Sequence, residues 1–213
     1  MNNSEYSKDS GQTHESGITD KNLEKLINIA QESGAASAAV ISAQDIKVQN
    51  ELANMCKEPR CENYGLSASC PPFVSGPSGF REMQKKMKHA IVVKIDVPLE
   101  TLMSDQGQEI MKLLHETVAN VENSAVEMGY ANSKAFAGGS CKKLFCHDYA
   151  DCRVVSKKGR CRNPKSARQS MSGFGINVSE MIVTAGWSGK SYVRDRETDA
   201  DSMSWIAGVI LVG

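Results

Sequence analysis

Seven cysteines stand in this chain of 213 residues, and all of them fall into two short groups. The first is Cys56, Cys61 and Cys70, spaced x4 and x8 and followed by Pro71-Pro72. The second is Cys141, Cys146, Cys152 and Cys161, spaced x4, x5 and x8, with Pro164 close behind. Structural cysteines behave as small hydrophobes and would scatter through helices and strands. These sit instead in stretches rich in Gly, Pro, Ser and Lys, where packing gives no reason for them. Thiolates gathered in loops bind soft metals, chiefly zinc or iron–sulfur clusters.

The spacing favours iron and sulfur over zinc. Structural zinc takes its ligands as close pairs, and no C-x2-C pair is present. A four-iron cluster is wrapped by thiolates, which tolerates wider and uneven spacings such as those between Cys141 and Cys161. Neither group copies the ferredoxin runs, and zinc stays as the alternative. The three-cysteine group reads in several ways: a cluster with one open iron, a three-iron cluster, a zinc site completed by another residue, or ligands lent to the second group's metal. His147, beside Cys146, is the only histidine near either group. A loop histidine is exposed by default, and ligation by His147 is left open.

Charge adds to the metal reading. The chain carries 25 Lys+Arg against 25 Asp+Glu. Between Lys134 and Arg168, however, ten positive residues face two negative ones, Asp148 and Asp151. A cluster held by four thiolates is anionic, and nearby cations and N–H dipoles stabilise it. The same surface would recruit an acidic redox protein by electrostatic steering. It reads equally as a solvated basic face. The balanced total charge and the lack of interleaved aromatics weigh against nucleic acid.

The start, Met1-Asn2-Asn3-Ser4-Glu5, has neither the basic opening nor the apolar run of a secretory signal. A cytoplasmic setting with reduced thiols is therefore expected, and an odd cysteine count argues against a complete disulfide framework. The longest apolar run, Trp205 to Gly213, is far short of the ~20 residues a membrane helix needs.

Residues 1–18 have almost nothing to bury and read as a disordered tail, leaving 19–213 as one cysteine-rich domain. A helix is expected from Thr19 or Asp20, with Leu23, Leu26, Ile27 and Ala30 on one face and Gly34 as its stop. Further helices are expected over 46–55, 80–87, 102–128 and 178–184, and from Pro164 to about Ser172. Strands are expected at 38–41, 90–97, 135–137 and 205–212. The fold class is α+β, helices packed on a small mixed sheet, with both cysteine loops placed at one end.

Two stretches carry a resemblance. Cys56…Cys61-Glu62-Asn63-Tyr64-Gly65…Cys70-Pro71-Pro72-Phe73, and Cys161-Arg162-Asn163-Pro164-Lys165-Ser166-Ala167-Arg168-Gln169-Ser170-Met171 followed by Gly175-Ile176-Asn177-Val178, resemble a family of bacterial and archaeal proteins described only as predicted metal-binding. The resemblance spans about residues 37–213. It implies a cysteine-rich metalloprotein of anaerobes carrying iron–sulfur clusters, and it implies no reaction. In the second stretch a helix starting at Pro164 would aim N–H groups at a cluster, and Arg162 and Arg168 are candidates to donate to its sulfurs. Met171 and Phe174 are assigned to packing.

Other motifs are set aside. Gly186 to Ser191 ends like a phosphate-binding loop but has Thr184 where that pattern requires glycine. Asp195, Glu197, Asp199 and Asp201 read as a solvated acidic loop. Three expectations follow. One is an iron–sulfur protein with one or two [4Fe-4S] clusters moving electrons in an anaerobic redox system. Another is an enzyme with an open iron at the three-cysteine group, and the third is a zinc-stabilised interaction module.

Overall fold

The computed structural model describes residues 19–189 and 202–213. The expected tail over 1–18 and the acidic loop near Asp195 lie outside them. Five strands form one sheet in the order β1-β2-β5-β3-β4: β1 (Ser37–Ser42), β2 (His89–Pro98), β5 (Met203–Val212), β3 (Lys134–Ala137) and β4 (Gln169–Ser170). All neighbours are antiparallel except β3 and β4, so the sheet is mixed and the α+β class holds.

The two long strands, β2 and β5, lie side by side in the sheet and are covered on both faces. That is why their sequences are nearly continuous apolar runs instead of alternating ones. Ile91, Val93 and Ile95 of β2 join Ile206 and Ile210 of β5 on one face. Above them lie α1 (Asp20–Glu32), through Leu26 and Ala30, and α5 (Gln106–Glu127), through Leu114, Val118, Val121 and Ala125. Gly208 lets α5 approach closely, because a Cβ there would stand 2.6 Å from a Val118 methyl and 3.0 Å from Phe136 O.

On the opposite face Ala90, Val92, Val209 and Leu211 meet α3 (Gly76–Gln84), the 3-10 turn Met171–Phe174 and α7 (Val178–Thr184). Phe80, Phe136 and Phe174 pack edge to face at its centre, Phe136 lying 5.1 Å from Phe80 and 4.9 Å from Phe174. Met171 and Phe174 are thus core residues, as their assignment to packing requires.

Three expected helices are corrected. The stretch 46–55 is helical only as α2 (Asn50–Asn54), because Val48 is drawn into a bridge with Ile176 and Gln49 N–H donates to Gly175 O at 2.8 Å. The single helix over 102–128 is two, α4 (Leu99–Met103) and α5, parted at Ser104, whose extended backbone ends the first. No helix starts at Pro164. The chain there makes turns and then enters β4, since pairing with β3 decides over local propensity.

Candidate metal centre

Both cysteine groups sit at the β4 edge of the sheet. The first follows α2, which is docked against Gly175 (φ +70); any Cβ there would strike Gln49 O. The chain then turns through Cys61 and Cys70, with Gly65 N–H donating to Pro71 O at 2.8 Å. Ser170 of β4 points its N–H outward to Ser69 O at 2.9 Å, fixing the loop to the sheet. The second group begins with Cys141, the first residue of α6 (Cys141–Phe145). Lys142 Nζ holds this loop by donating to Cys146 O and Tyr149 O at 2.7 and 2.6 Å.

Cys56, Cys61 and Cys70 line one cavity of about 710 Å³. Cys141, Cys146, Cys152 and Cys161 line another, a small space of about 20 Å³. Cys141, Cys152 and Cys161 also border an open cleft of about 800 Å³. Among the described residues no histidine, aspartate or glutamate lines either of the first two cavities. Among the described residues no three His, Cys, Asp or Glu side chains are already drawn together around a single metal-ion position. The thiols surround spaces and do not converge on a point.

Hydrogen bonds to sulfur are the feature that spacing alone does not reveal. Asn163 donates its backbone N–H to Cys161 Sγ and its side-chain amide to Cys146 Sγ, both at 3.3 Å. The first loop reaches across to the second group. The Ser69 and Ser67 hydroxyls favour the Cys141 thiolate, and the N–H groups of Val155, Ala68 and Val154 favour that of Cys152, while the Ser69 hydroxyl lies 3.8 Å from Cys70 Sγ. The only hints of this in the sequence are the serines of Leu66-Ser67-Ala68-Ser69-Cys70 and the asparagine two places after Cys161.

These contacts divide the thiols electrostatically. Burial pushes the Cys141 thiol up to about 11, against the pull of Ser69 and Ser67, with Cys70 and Cys161 adding repulsion. Burial also raises Cys56, helped by Cys61 and Cys70. Cys152 goes the other way: burial opposes its ionisation, but the three N–H groups and the Arg162 charge outweigh it. Cys141 thus feels members of both groups, so the two centres adjoin.

The arginines part company. Arg162 lines the four-thiol space, stacks on Tyr149 at 4.0 Å and donates to Asp151 O at 3.0 Å. Arg168 is buried against α5, where it pairs with Glu122 and donates to Asn123 Oδ1, Ala119 O, Pro164 O and Ala167 O. Its guanidinium therefore clamps the loop by way of carbonyl and carboxylate oxygens. His147 is exposed and pairs with Asp148 at 3.1 Å, outside the lining of either thiol cavity. Four of the ten cations between Lys134 and Arg168 are held in ion pairs: Lys143, Lys158, Arg162 and Arg168.

The chain is an α+β protein with a five-stranded mixed sheet among the described residues, and its two cysteine groups border separate cavities. The chain matches the family described as predicted metal-binding protein (DUF2284) over residues 39–211, and it belongs to that family. No curated protein and no solved structure matches it. Among the described residues no helix is long and apolar enough to cross a membrane.

Proposed function

We propose that this protein binds iron–sulfur clusters and transfers electrons within a cytoplasmic, anaerobic redox system. The observation that carries the reading is chemical. Among the described residues each cavity is lined by cysteines with no His, Asp or Glu, and in the second group Cys161 and Cys146 receive hydrogen bonds from Asn163, while Ser67, Ser69 and nearby N–H groups favour the thiolates of Cys141 and Cys152. Soft donors of this kind suit iron–sulfur clusters, and hydrogen bonds to the sulfurs are one of the means by which a protein sets their potential.

Cys141, Cys146, Cys152 and Cys161 would hold one [4Fe-4S] cluster, and Cys56, Cys61 and Cys70 a second centre. Such a cluster, when bound, accepts and releases single electrons. The chain's own residues do the rest. Asn163 and the Ser67–Ser69 pair offset added negative charge, Arg162 places a cation beside Cys152, and Arg168 with Glu122 keeps the loop in place. Lys157, Arg160 and Lys165 remain for an acidic partner protein, which such a surface would steer into contact. Nucleic acid and membrane are not part of this reading.

A second reading has one observation of its own. The four thiols border a small space of about 20 Å³, close to the room of one water-sized sphere, and a single zinc ion there would require them to draw inward from their present positions. Anaerobic redox titration followed by electron paramagnetic resonance separates the two. Two reducible signals are expected, with Cys146→Ser removing one and Cys61→Ser the other. A protein silent at every potential contradicts the proposal and favours zinc.

A further inference from the structure

Two buried hydroxyls stand between the two cysteine groups. Ser67 is fully buried and Ser69 is 6% exposed, and their Oγ atoms lie 2.9 Å apart. Ser69 Oγ is also 3.8 Å from Cys70 Sγ of the first group. Ser67 lines the small space bordered by the four thiols of the second group, and both hydroxyls favour the Cys141 thiolate. The pair thus spans from one donor set to the other. Backbone bonds hold it there: Ser69 O accepts the Ser170 N–H of β4 at 2.9 Å, and Ser67 O accepts the Cys70 N–H at 3.2 Å.

The number of hydrogens limits what this pair can do. Each serine hydroxyl carries one hydrogen to donate. The contact between the two oxygens uses one of the two. The other can point at Cys70 or toward Cys141, but not at both. Hydrogen bonds to charged acceptors are stronger than those to neutral ones, so this hydrogen turns to the sulfur that carries more negative charge.

On the iron–sulfur reading above, we infer that Ser69, held by Ser67, shares one hydrogen bond between the two centres and so couples them, an electron gained on one side drawing the bond away from the other. The electron comes from an external one-electron reductant. No covalent bond changes and no proton leaves the protein; only the O–H directions turn.

Electron paramagnetic resonance during dithionite titration of the full-length, anaerobically purified protein measures the coupling. It is the rise in midpoint of the lower-potential centre when the other is removed, by Cys61→Ser or by Cys146→Ser. Part of that rise is plain charge repulsion, which a substitution at Ser69 leaves in place. The shared hydrogen bond is expected to add about three- to tenfold in the reduction constant, or about 30 to 60 mV for one electron. Ser69→Ala is expected to remove this addition, and Ser69→Thr, which keeps a hydroxyl, to retain it. Should Ser69→Ala misfold and lose a signal, Ser69→Thr against Ser69→Val makes the same comparison at nearly constant shape. Two signals whose coupling is equal in the parent and Ser69→Ala, or in the threonine and valine variants, overturn the inference and leave the iron–sulfur reading standing. Silence at every potential overturns that reading, and the inference with it.

Discussion

Asn163 is the residue whose loss should be felt most cleanly, because replacing it removes the amide bond to Cys146 Sγ and leaves its backbone N–H on Cys161 Sγ in place. Its side-chain amide meets Cys146 Sγ and, at 3.4 Å, Phe145 O. A hydrogen bond to sulfur stabilises the more negative state of a cluster, so Asn163→Ala is expected to shift the four-cysteine centre to a more negative potential. Redox titration of the variant checks this, and an unchanged midpoint would show that the amide does not act on the centre. Cys152 and Cys141 offer a second comparison. In metal-free protein at pH 8, Cys152 is expected to react with iodoacetamide faster than Cys141, since the thiolate is the nucleophile. Peptide mapping by mass spectrometry reads the order. Every cysteine of the two groups was legible in the sequence because spacing and loop composition are local properties. The partners of those sulfurs were not, since Ser67 and Ser69 reach Cys141 across more than seventy residues and only the fold brings them together.

Among the elements, α5 does the most for the site without touching metal. His115, fully buried on α5, donates from Nε2 to Gly138 O at 2.9 Å and accepts the Arg168 N–H on Nδ1 at 3.1 Å. It therefore ties together the strand that enters the second group and the segment that leaves it. Burial holds this imidazole neutral down to about pH 4. The unfolded imidazole, with its ordinary value near 6.5, takes up a proton sooner. Its contribution is thus intact above pH 6.5 and is lost as pH falls toward 4, amounting to about 3 kcal/mol. Chemical denaturation at a series of pH values is expected to show that decline, and His115→Gln to flatten it while lowering stability at pH 7. Two turns further along, Glu122 accepts the Ala135 N–H at 3.1 Å and pairs with Arg168. Arg168→Met leaves Glu122 buried without its cation and is expected to cost about 3–5 kcal/mol, read as a lower denaturation midpoint. The apolar stripe of α5 was plain in the sequence. The break before it and the absent helix at Pro164 were not, because tertiary pairing at β4 and the turn at Ser104–Asp105 outweigh local periodicity.

At the scale of the whole molecule, the sheet explains why one small body holds two sulfur sites. The long strands β2 and β5 anchor two cores, one under α1 and α5 and the other under α3 and α7. The short strands β3 and β4 lie at the border, and both cysteine groups hang from them. The runs Ala90 to Val97 and Trp205 to Val212 announced the long strands, whose burial on both faces makes them apolar throughout. Two-residue β4 carries no such signal, yet it is the edge to which Ser69 is bonded. The cross-link between Lys143 and Glu62 at 3.2 Å joins the two loops at the surface. What these thiols hold matters above all. Iron, acid-labile sulfide and zinc measured per chain after strictly anaerobic purification decide it: about four to eight irons with matching sulfide are predicted. Colourless protein with stoichiometric zinc and no labile sulfide would contradict the account.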